Sequence, residues 1–304
     1  MEQTAVKKLE VKDLKKATKS ALVMDDVTFT VHAGEIFALV GEPESCKTLL
    51  SKIVVKLVKK TNGEVVVGGK LGASLEQQKF YPNKSAYKIL EQHAYLHRRP
   101  ISHNRIINTL NLVGLKDKRH ALIESFDASA IARLKIAIAI YASPEILILD
   151  EPFANLSPVE AHTIRVIIKT IAENEKAAVF ITAQNAADVE EICDTIGIID
   201  EGLMVSIKSY NQHIRDDAPY EKMRVQTQTP NYAAKVIEQD LGFTTHLCGE
   251  WVVVDTPPAN AQKVADALIA LGIKILSVER VNRSLQEQYY EIVSARRRNR
   301  RGAI

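Results

Sequence analysis

Glycine is scarce in this chain: 13 of 304 residues, about 4% where about 7% is usual. An α/β protein that wraps backbone around phosphate relies on glycine in its loops, so the shortage bears on which loops can do so. Cysteine is scarce too. Cys46, Cys193 and Cys248 offer neither a metal-ligand spacing nor a disulfide framework, as expected of a reducing compartment. No window reaches ~18 consecutive apolar residues, so no segment is expected to span a bilayer. The opening MEQTAVKKLEVKDLKK has no apolar stretch of the secretion-signal kind. Forty Lys+Arg face 37 Asp+Glu, a net charge of +3. That is too near neutral for a dedicated nucleic-acid binder, and no nucleic-acid partner is expected. What is present is an ordinary globular balance, 46% hydrophobic and 25% charged, at a length that suggests about two domains.

From about Leu9 to Tyr210, short apolar runs alternate with helix-like ones. Glu35–Val40 (EIFALV), Ile146–Leu149 (ILIL), Ala177–Thr182 (AAVFIT) and Thr195–Ile199 read as buried strands. Lys47–Lys60 has helical periodicity with lysines on one face. Ser85–Leu96 and His103–Val113 read as two more helices, and Asp188–Cys193 as the start of another. This alternation predicts a mainly parallel sheet covered on both faces.

The polar stretch 210–221 reads as a linker. After it come a strand at Met223–Gln228 and an amphipathic helix at Tyr232–Leu241. A hairpin of Thr244–Leu247 and Trp251–Asp255 turns at Cys248-Gly249-Glu250, and Ala259–Leu271 and Ile273–Val278 supply a helix and a last strand. The order βαββαβ predicts a ferredoxin-like sandwich. A helix from Ser284, its N-cap, to about Arg297 follows, and the chain ends on a basic tail, Arg296–Arg301. The expected boundaries are an N-terminal tail at 1–8, a first domain at 9–209 with a helical subdomain at about 85–135, the linker, an accessory domain at 222–294 and the tail at 295–304.

Two motifs carry chemistry. The strand ending at Val40 runs into Gly41-Glu42-Pro43-Glu44-Ser45-Cys46-Lys47-Thr48 and then a helix. The phosphate-loop frame G-x-x-x-x-G-K-[ST] is met at Gly41, Lys47 and Thr48, in the required strand–loop–helix context, but Cys46 stands where glycine belongs. An intact loop cradles phosphate with backbone N–H groups and a helix N-terminus. A side chain at Cys46 obstructs that approach, and Glu42 and Glu44 set carboxylates near a polyanion. One like-charge pair at about 6 Å with an effective dielectric near 20 costs roughly 2–3 kcal/mol before salt screening, or about 100-fold in affinity if the carboxylate does not turn away. In the second motif, Ile146–Leu149 carries Asp150, Glu151 and Pro152 out at its carboxyl end, where α/β sheets bind ligands. There Asp150 would hold a metal shell and Glu151 would orient water.

These residues resemble the ATP-binding subunit of an ABC transporter, over almost the whole length. The likeness is particularly to subunits that pair with separate permeases to export bacitracin, lantibiotics and other antimicrobial compounds. It also rests on Asp25–Glu42, Thr61–Lys70, Phe80–Leu90, Asn108–Leu115, Ala132–Pro152 and Ala270–Ser294. The resemblance implies an α/β P-loop NTPase of ABC type with a helical subdomain and a small α+β C-terminal domain. ATP and Mg²⁺ are the implied cofactors. Gly41, Glu42, Ser45, Cys46, Lys47 and Thr48 would meet the nucleotide, and Thr48, Asp150 and Glu76 the metal. Glu151 and Gln184 fall on the catalytic carboxylate and the switch histidine, the latter replaced. The helix-opening signature, which meets the opposite subunit's γ-phosphate, falls on Asp127-Ala128-Ser129-Ala130. Ser157 replaces the aspartate of the dimer-contact loop, and Ala17 the aromatic residue that stacks on adenine.

The implied protein is a cytoplasmic subunit, peripheral at the inner face of the cell membrane. It would work with a permease and form a homodimer, or a heterodimer with a second ABC ATPase. Asp127 is expected to cap its helix while repelling phosphate, with Ser129 crowding it. Weak or partner-dependent hydrolysis follows. The alternative is a nucleotide-independent ABC-fold docking protein on a membrane complex. Glu76 and Phe80–Pro82 would face the permease by the same resemblance.

Four smaller features have their own expectations. Cys46, beside Lys47 and a helix start, is expected to carry an acidified thiol. Cys193, Cys248 and Trp251 are expected to be packing residues. His93 and His97 lie one turn apart without further ligands, so no zinc site is expected. The basic tail is expected either to meet anionic lipid or to be a solvated end.

Overall fold

The computed structural model describes residues 6–18, 21–99, 101–209, 222–281 and 285–301. The chain divides into two compact units, Met1–Tyr210 with Ala295–Ile304, and Asn211–Ser294. The linker expected at 210–221 and the N-cap expected at Ser284 lie outside the described residues.

The first unit is built on a nine-stranded sheet ordered β4-β1-β2-β9-β8-β3-β7-β6-β5. Its parallel part comprises β8 (Thr195–Asp200), β3 (Ile36–Val40), β7 (Ala178–Ala183), β6 (Ile146–Asp150) and β5 (Leu71–Ser74). Every residue of β3, β6 and β7 is buried, which is why these strands read as unbroken apolar runs. An antiparallel flap is added by β1 (Lys7–Ala17), β2 (Leu22–His32) and β4 (Asn62–Val67), and β9 (Leu203–Ser209) pairs antiparallel with β8. β1 begins at Lys7, inside the expected tail. Phe29, Phe37 and Phe180 stack between flap and parallel sheet, with ring centroids 5.0, 5.2 and 6.0 Å apart.

Helix α1 covers only Lys47–Val54. It stops short of the expected Lys60 because Lys56 turns left-handed (φ 63) and the amides of Leu57 and Val58 fold back onto Lys52 O. α2 (Ala86–Leu96), α3 (His103–Leu112) and α4 (Ala128–Ile140) form the helical subdomain, capped by Ser85, Ser102 and Asp127. α5 spans Pro158–Glu175. The helix expected from Asp188 is instead one 3-10 turn at Ala186–Asp188. The chain is drawn back toward β8 there, because Asp194 exchanges hydrogen bonds with Ile36.

The second unit has β10 (Lys222–Thr227), α6 (Pro230–Leu241), β11 (Thr245–Cys248), β12 (Trp251–Val254), α7 (Ala261–Ala270) and β13 (Ile275–Val281). Its antiparallel sheet runs β11-β12-β10-β13, the ferredoxin-like order. Val225, Val252 and Val254 meet Ala233, Ile237, Val264 and Leu268 in its core. Trp251 corrects one expectation. It alternates with the buried Val252 and Val254, is only part-buried, and carries the Arg224 guanidinium 4.3 Å above its ring. Cys248 is exposed, against expectation, whereas Cys193 is buried and its thiol is pushed up to about 12. α8 (Leu285–Arg301) makes the basic end helical.

Candidate functional site

Strands β3, β6 and β7 end in register, with Val40 opposite Ala183 and Asp150 opposite Thr182. Everything that leaves those ends meets at one sheet edge. Gly41 leaves β3 with its N–H on Ala183 O at 3.2 Å. A Cβ there would lie 2.4 Å from Ile199 O and 2.4 Å from Ser45 Oγ, so the position excludes any larger residue. Pro43–Ser45 form a 3-10 turn, and the buried Ser45 donates its Oγ–H to Glu42 O at 2.6 Å. Cys46 then adopts φ 72, ψ 16, a conformation costing a non-glycine residue about 1–2 kcal/mol. Its Sγ lies 3.2 Å from Val23 O. Burial pushes this thiol up, and Lys47 opposes the shift only in part. The acidified thiol expected from sequence is therefore not found.

Lys47 opens α1 and is 2% exposed. Its Nζ donates to Gly41 O at 2.6 Å, Glu42 O at 2.9 Å and Ser45 Oγ at 3.4 Å, and lies 3.4 Å from Glu151 Oε1. Burial draws the Lys47 ammonium down and pushes the Glu151 carboxyl up, and each ion counters the other's desolvation. Glu151 sits just past β6 in a left-handed turn (φ 51). Its N–H donates to Thr182 Oγ1 at 3.0 Å, and its Oε2 accepts the Gln184 N–H at 3.2 Å.

Asp150, 2% exposed, gathers hydroxyls. Its Oδ1 accepts Thr182 Oγ1 at 2.8 Å and the Thr48 and Ser51 hydroxyls at 3.3 Å each, and its Oδ2 accepts the Glu76 N–H at 3.4 Å. Glu76 stands just past β5, where Lys135 Nζ holds its carbonyl at 2.6 Å. A hydroxyl, a buried carboxylate and an adjacent acidic side chain are hard oxygen donors of the kind Mg²⁺ prefers, so the residues fit that ion. Beside them a groove of about 650 Å³ is lined by Glu76, Glu151, Phe153, Asn155, Gln184 and Asp188, among others.

Thr182 and Ser51 escaped the sequence reading. Their only signal was a hydroxyl at a strand end and one three residues beyond Thr48 on a helix.

The structure brings together Gly41, Glu42, Ser45, Cys46, Lys47, Thr48, Glu76, Asp150, Glu151 and Gln184. Asp127 and Ser129 stand apart: among the described residues, neither bonds to the phosphate loop 41–48. Asp127 Oδ1 accepts the Ala130 N–H at 2.6 Å, which with Lys118 Nζ 3.6 Å away holds its carboxyl low. Ser129 is 6% exposed. The crowding side chain expected there is turned in, while Asp127 and Ala128 are exposed. Ser157 caps α5 in a reciprocal box with Glu160. Ala17, part-buried, offers no ring. The His93 and His97 rings lie 4.4 Å apart.

Comparison with known proteins agrees with this architecture. Residues 24–154 match the ABC transporter family. The uncharacterized ABC transporter ATP-binding protein YhcH of Bacillus subtilis is 28% identical over 298 residues, 93% of this chain and 95% of that protein. The lantibiotic transport ATP-binding protein SrtF of Streptococcus pyogenes is 30% identical over 212 residues, 67% of this chain and 91% of that protein. The dimeric structure of a bacterial ABC transporter cassette superposes with a TM-score of 0.61 at 18% identity, over 66% of this chain and 98% of that one. With a phosphate loop, an acidic strand end and relatives matched over nearly their whole length, the chain belongs to the family of ABC transporter ATP-binding proteins.

Proposed function

We propose that this chain is the nucleotide-binding subunit of an ABC exporter. It binds Mg-ATP at an altered phosphate loop, couples to a separate permease, and hydrolyses ATP weakly or only beside a competent partner chain. The carrying observation is the convergence of Lys47, Thr48, Asp150 and Glu151 at the carboxyl ends of β3 and β6. Thr48 and Asp150 would hold Mg²⁺ with Glu76 nearby, and Lys47 would exchange loop carbonyls for phosphate oxygens. Bound Mg-ATP supplies the electrophilic phosphorus and a metal that neutralises developing charge. Glu151, which accepts the Gln184 N–H and whose carboxyl is pushed up by burial, would orient water and accept its proton. The Gln184 side chain donates hydrogen bonds but carries no charge at neutral pH.

Three features support weak turnover. Cys46 sets a side chain in a strained turn where phosphate needs bare backbone. Glu44 sets an acidic side chain in the loop. Asp127 already fills the N-terminus of α4 with a carboxylate of this chain. In a homodimer both sites would combine these changes, and losing one positioned charge-stabilising group costs ~2.7–4 kcal/mol of barrier. In a heterodimer this chain would lend Lys47, Thr48, Asp150 and Glu151 to an intact signature.

A groove of about 490 Å³ lined by Tyr81, Glu91, Gln92, Tyr95, Leu96 and Ile101 supports permease docking, since Tyr95 and Leu96 are each 75% exposed. No described helix is long and apolar enough to cross a membrane, which accords with a peripheral position at the inner face of the cell membrane.

One observation favours the nucleotide-independent docking protein. Lys47 is 2% exposed and already has loop partners and a carboxylate. Titration with labelled Mg-ATP separates the readings. Saturable binding that Lys47→Ala abolishes supports the nucleotide-binding subunit, and its absence supports the docking protein. Brisk hydrolysis by the purified chain alone refutes weak turnover.

A further inference from the structure

Asp200 ends β8 beside the phosphate-loop strand, with Val40 paired to Ile198. It is 2% exposed, and a carboxylate so buried requires partners. They come from residues almost 100 positions later. Arg296 Nη1 donates to Asp200 O at 3.0 Å and lies 3.6 Å from Oδ2. Arg297 Nη2 donates to Asp200 Oδ1 at 2.9 Å. The same Nη2 donates to Glu42 Oε2 at 2.8 Å. An Nη2 amino group carries two hydrogens, one for each carboxylate. All four residues belong to the first unit. The basic stretch is thus neither a loose end nor wholly free for lipid: its first arginines are committed to the edge of the nucleotide site.

We infer that Arg297 is a positioning residue of that site: by tying the Glu42 side chain to Asp200, it neutralises the first acidic group of the phosphate loop and turns it toward β8. The inference rests on the nucleotide reading above. Glu42 is then held at both ends. Its carbonyl accepts Lys47 Nζ and the Ser45 N–H and Oγ–H, and its carboxylate accepts Arg297. The penalty foreseen for an acidic loop, roughly 100-fold for one carboxylate near phosphate, applies to a group free to face the ligand. Here the charge is matched by a guanidinium in contact. Both side chains are nearly half exposed, Arg297 at 43% and Glu42 at 46%, so salt weakens the pair.

The test uses the full chain with Arg297→Ala, Glu42→Gln and the double variant. Hydrogen exchange of the backbone amides in 41–48, Pro43 excepted, is followed without nucleotide, and labelled Mg-ATP affinity is measured at low and high salt. Arg297→Ala should speed loop exchange about 5–10-fold and weaken binding about 5–10-fold at low salt, less at high salt. Glu42→Gln should bind at least as tightly as the parent, and adding Arg297→Ala to it should change affinity less than about 2-fold. A purely structural role would instead lower affinity and melting temperature equally in both backgrounds. Unchanged loop exchange in Arg297→Ala, or an equal loss of affinity in the Glu42→Gln background, overturns the inference. If the parent chain binds no nucleotide, the functional proposal fails by itself, and loop exchange still decides whether Arg297 holds Glu42.

Discussion

Under the proposed function Asp127 would have two tasks that one substitution can separate. Its Oδ1 accepts the Ala130 N–H at 2.6 Å and so caps α4. Its charge would also face the nucleotide of an opposing chain in a family-type dimer. Serine caps a helix about as well as aspartate, whereas alanine forfeits about 1 kcal/mol. Asp127→Ser should therefore melt within about 1–2 °C of the parent, and Asp127→Ala about 2–4 °C lower for a unit of this size. Both remove the charge. At about 6 Å and an effective dielectric near 20 the repulsion is roughly 2–3 kcal/mol. A Debye length of about 8 Å at physiological salt cuts it about in half, leaving about 10-fold in affinity. The assay is Mg-ATP-driven dimerisation by sedimentation, with Glu151→Gln in every variant to suppress turnover. Both Asp127 variants should dimerise about 10-fold more readily, with only the alanine variant losing stability. Dimerisation that tracks melting temperature rather than charge would refute the reasoning.

Cys46→Gly should relieve the left-handed strain and open the loop, tightening labelled Mg-ATP binding about 10-fold. Cys46→Ala keeps the strain and a side chain, and an equal gain there would exclude this cause. Gly72→Ala would set a Cβ 2.1 Å from Ala139 O and should cost about 3 kcal/mol in urea unfolding; a neutral result would mean that α4 and β5 separate freely. Burial, with His97 adding to it, draws the part-buried His93 down to about 4 from 6.5. The unfolded chain takes up that proton first, so this contribution is whole above about pH 6.5 and is lost toward pH 4. At about 1.4 kcal/mol per pH unit it is worth at most about 3 kcal/mol. His93→Gln should flatten that part of the pH–stability curve, and an unchanged curve would place the titration elsewhere.

The parts legible in the sequence are those that local pattern controls. Unbroken apolar runs announced β3, β6 and β7 because both faces of those strands are covered. The second unit was legible in its element order, since hairpin and helix signals there are short-range. Asp127 was legible as a cap because capping involves residues three apart. The flap strands β1, β2 and β4 were not: each has exposed or part-exposed positions, and their pairing joins Lys7–Ala17 to Asn62–Val67 across the chain. Trp251 was misplaced because an apolar side chain on a strand does not declare which face is covered. The length of α1 was misjudged because lysine periodicity continues past a left-handed turn that no residue type marks.

By itself, then, the sequence determined which groups are available to the proposed nucleotide site: Lys47 and Thr48 at a strand–helix junction, and Asp150 and Glu151 at a strand end. Tertiary structure alone decided what those groups touch. Sheet order placed Thr182 of β7 against Asp150 and Glu151, the turn of the loop folded Lys47 onto Gly41 O and Glu42 O, and the C-terminal helix brought Arg297 to Glu42. Most of these contacts join residues tens to hundreds of positions apart, and no local periodicity encodes which strand ends will be neighbours.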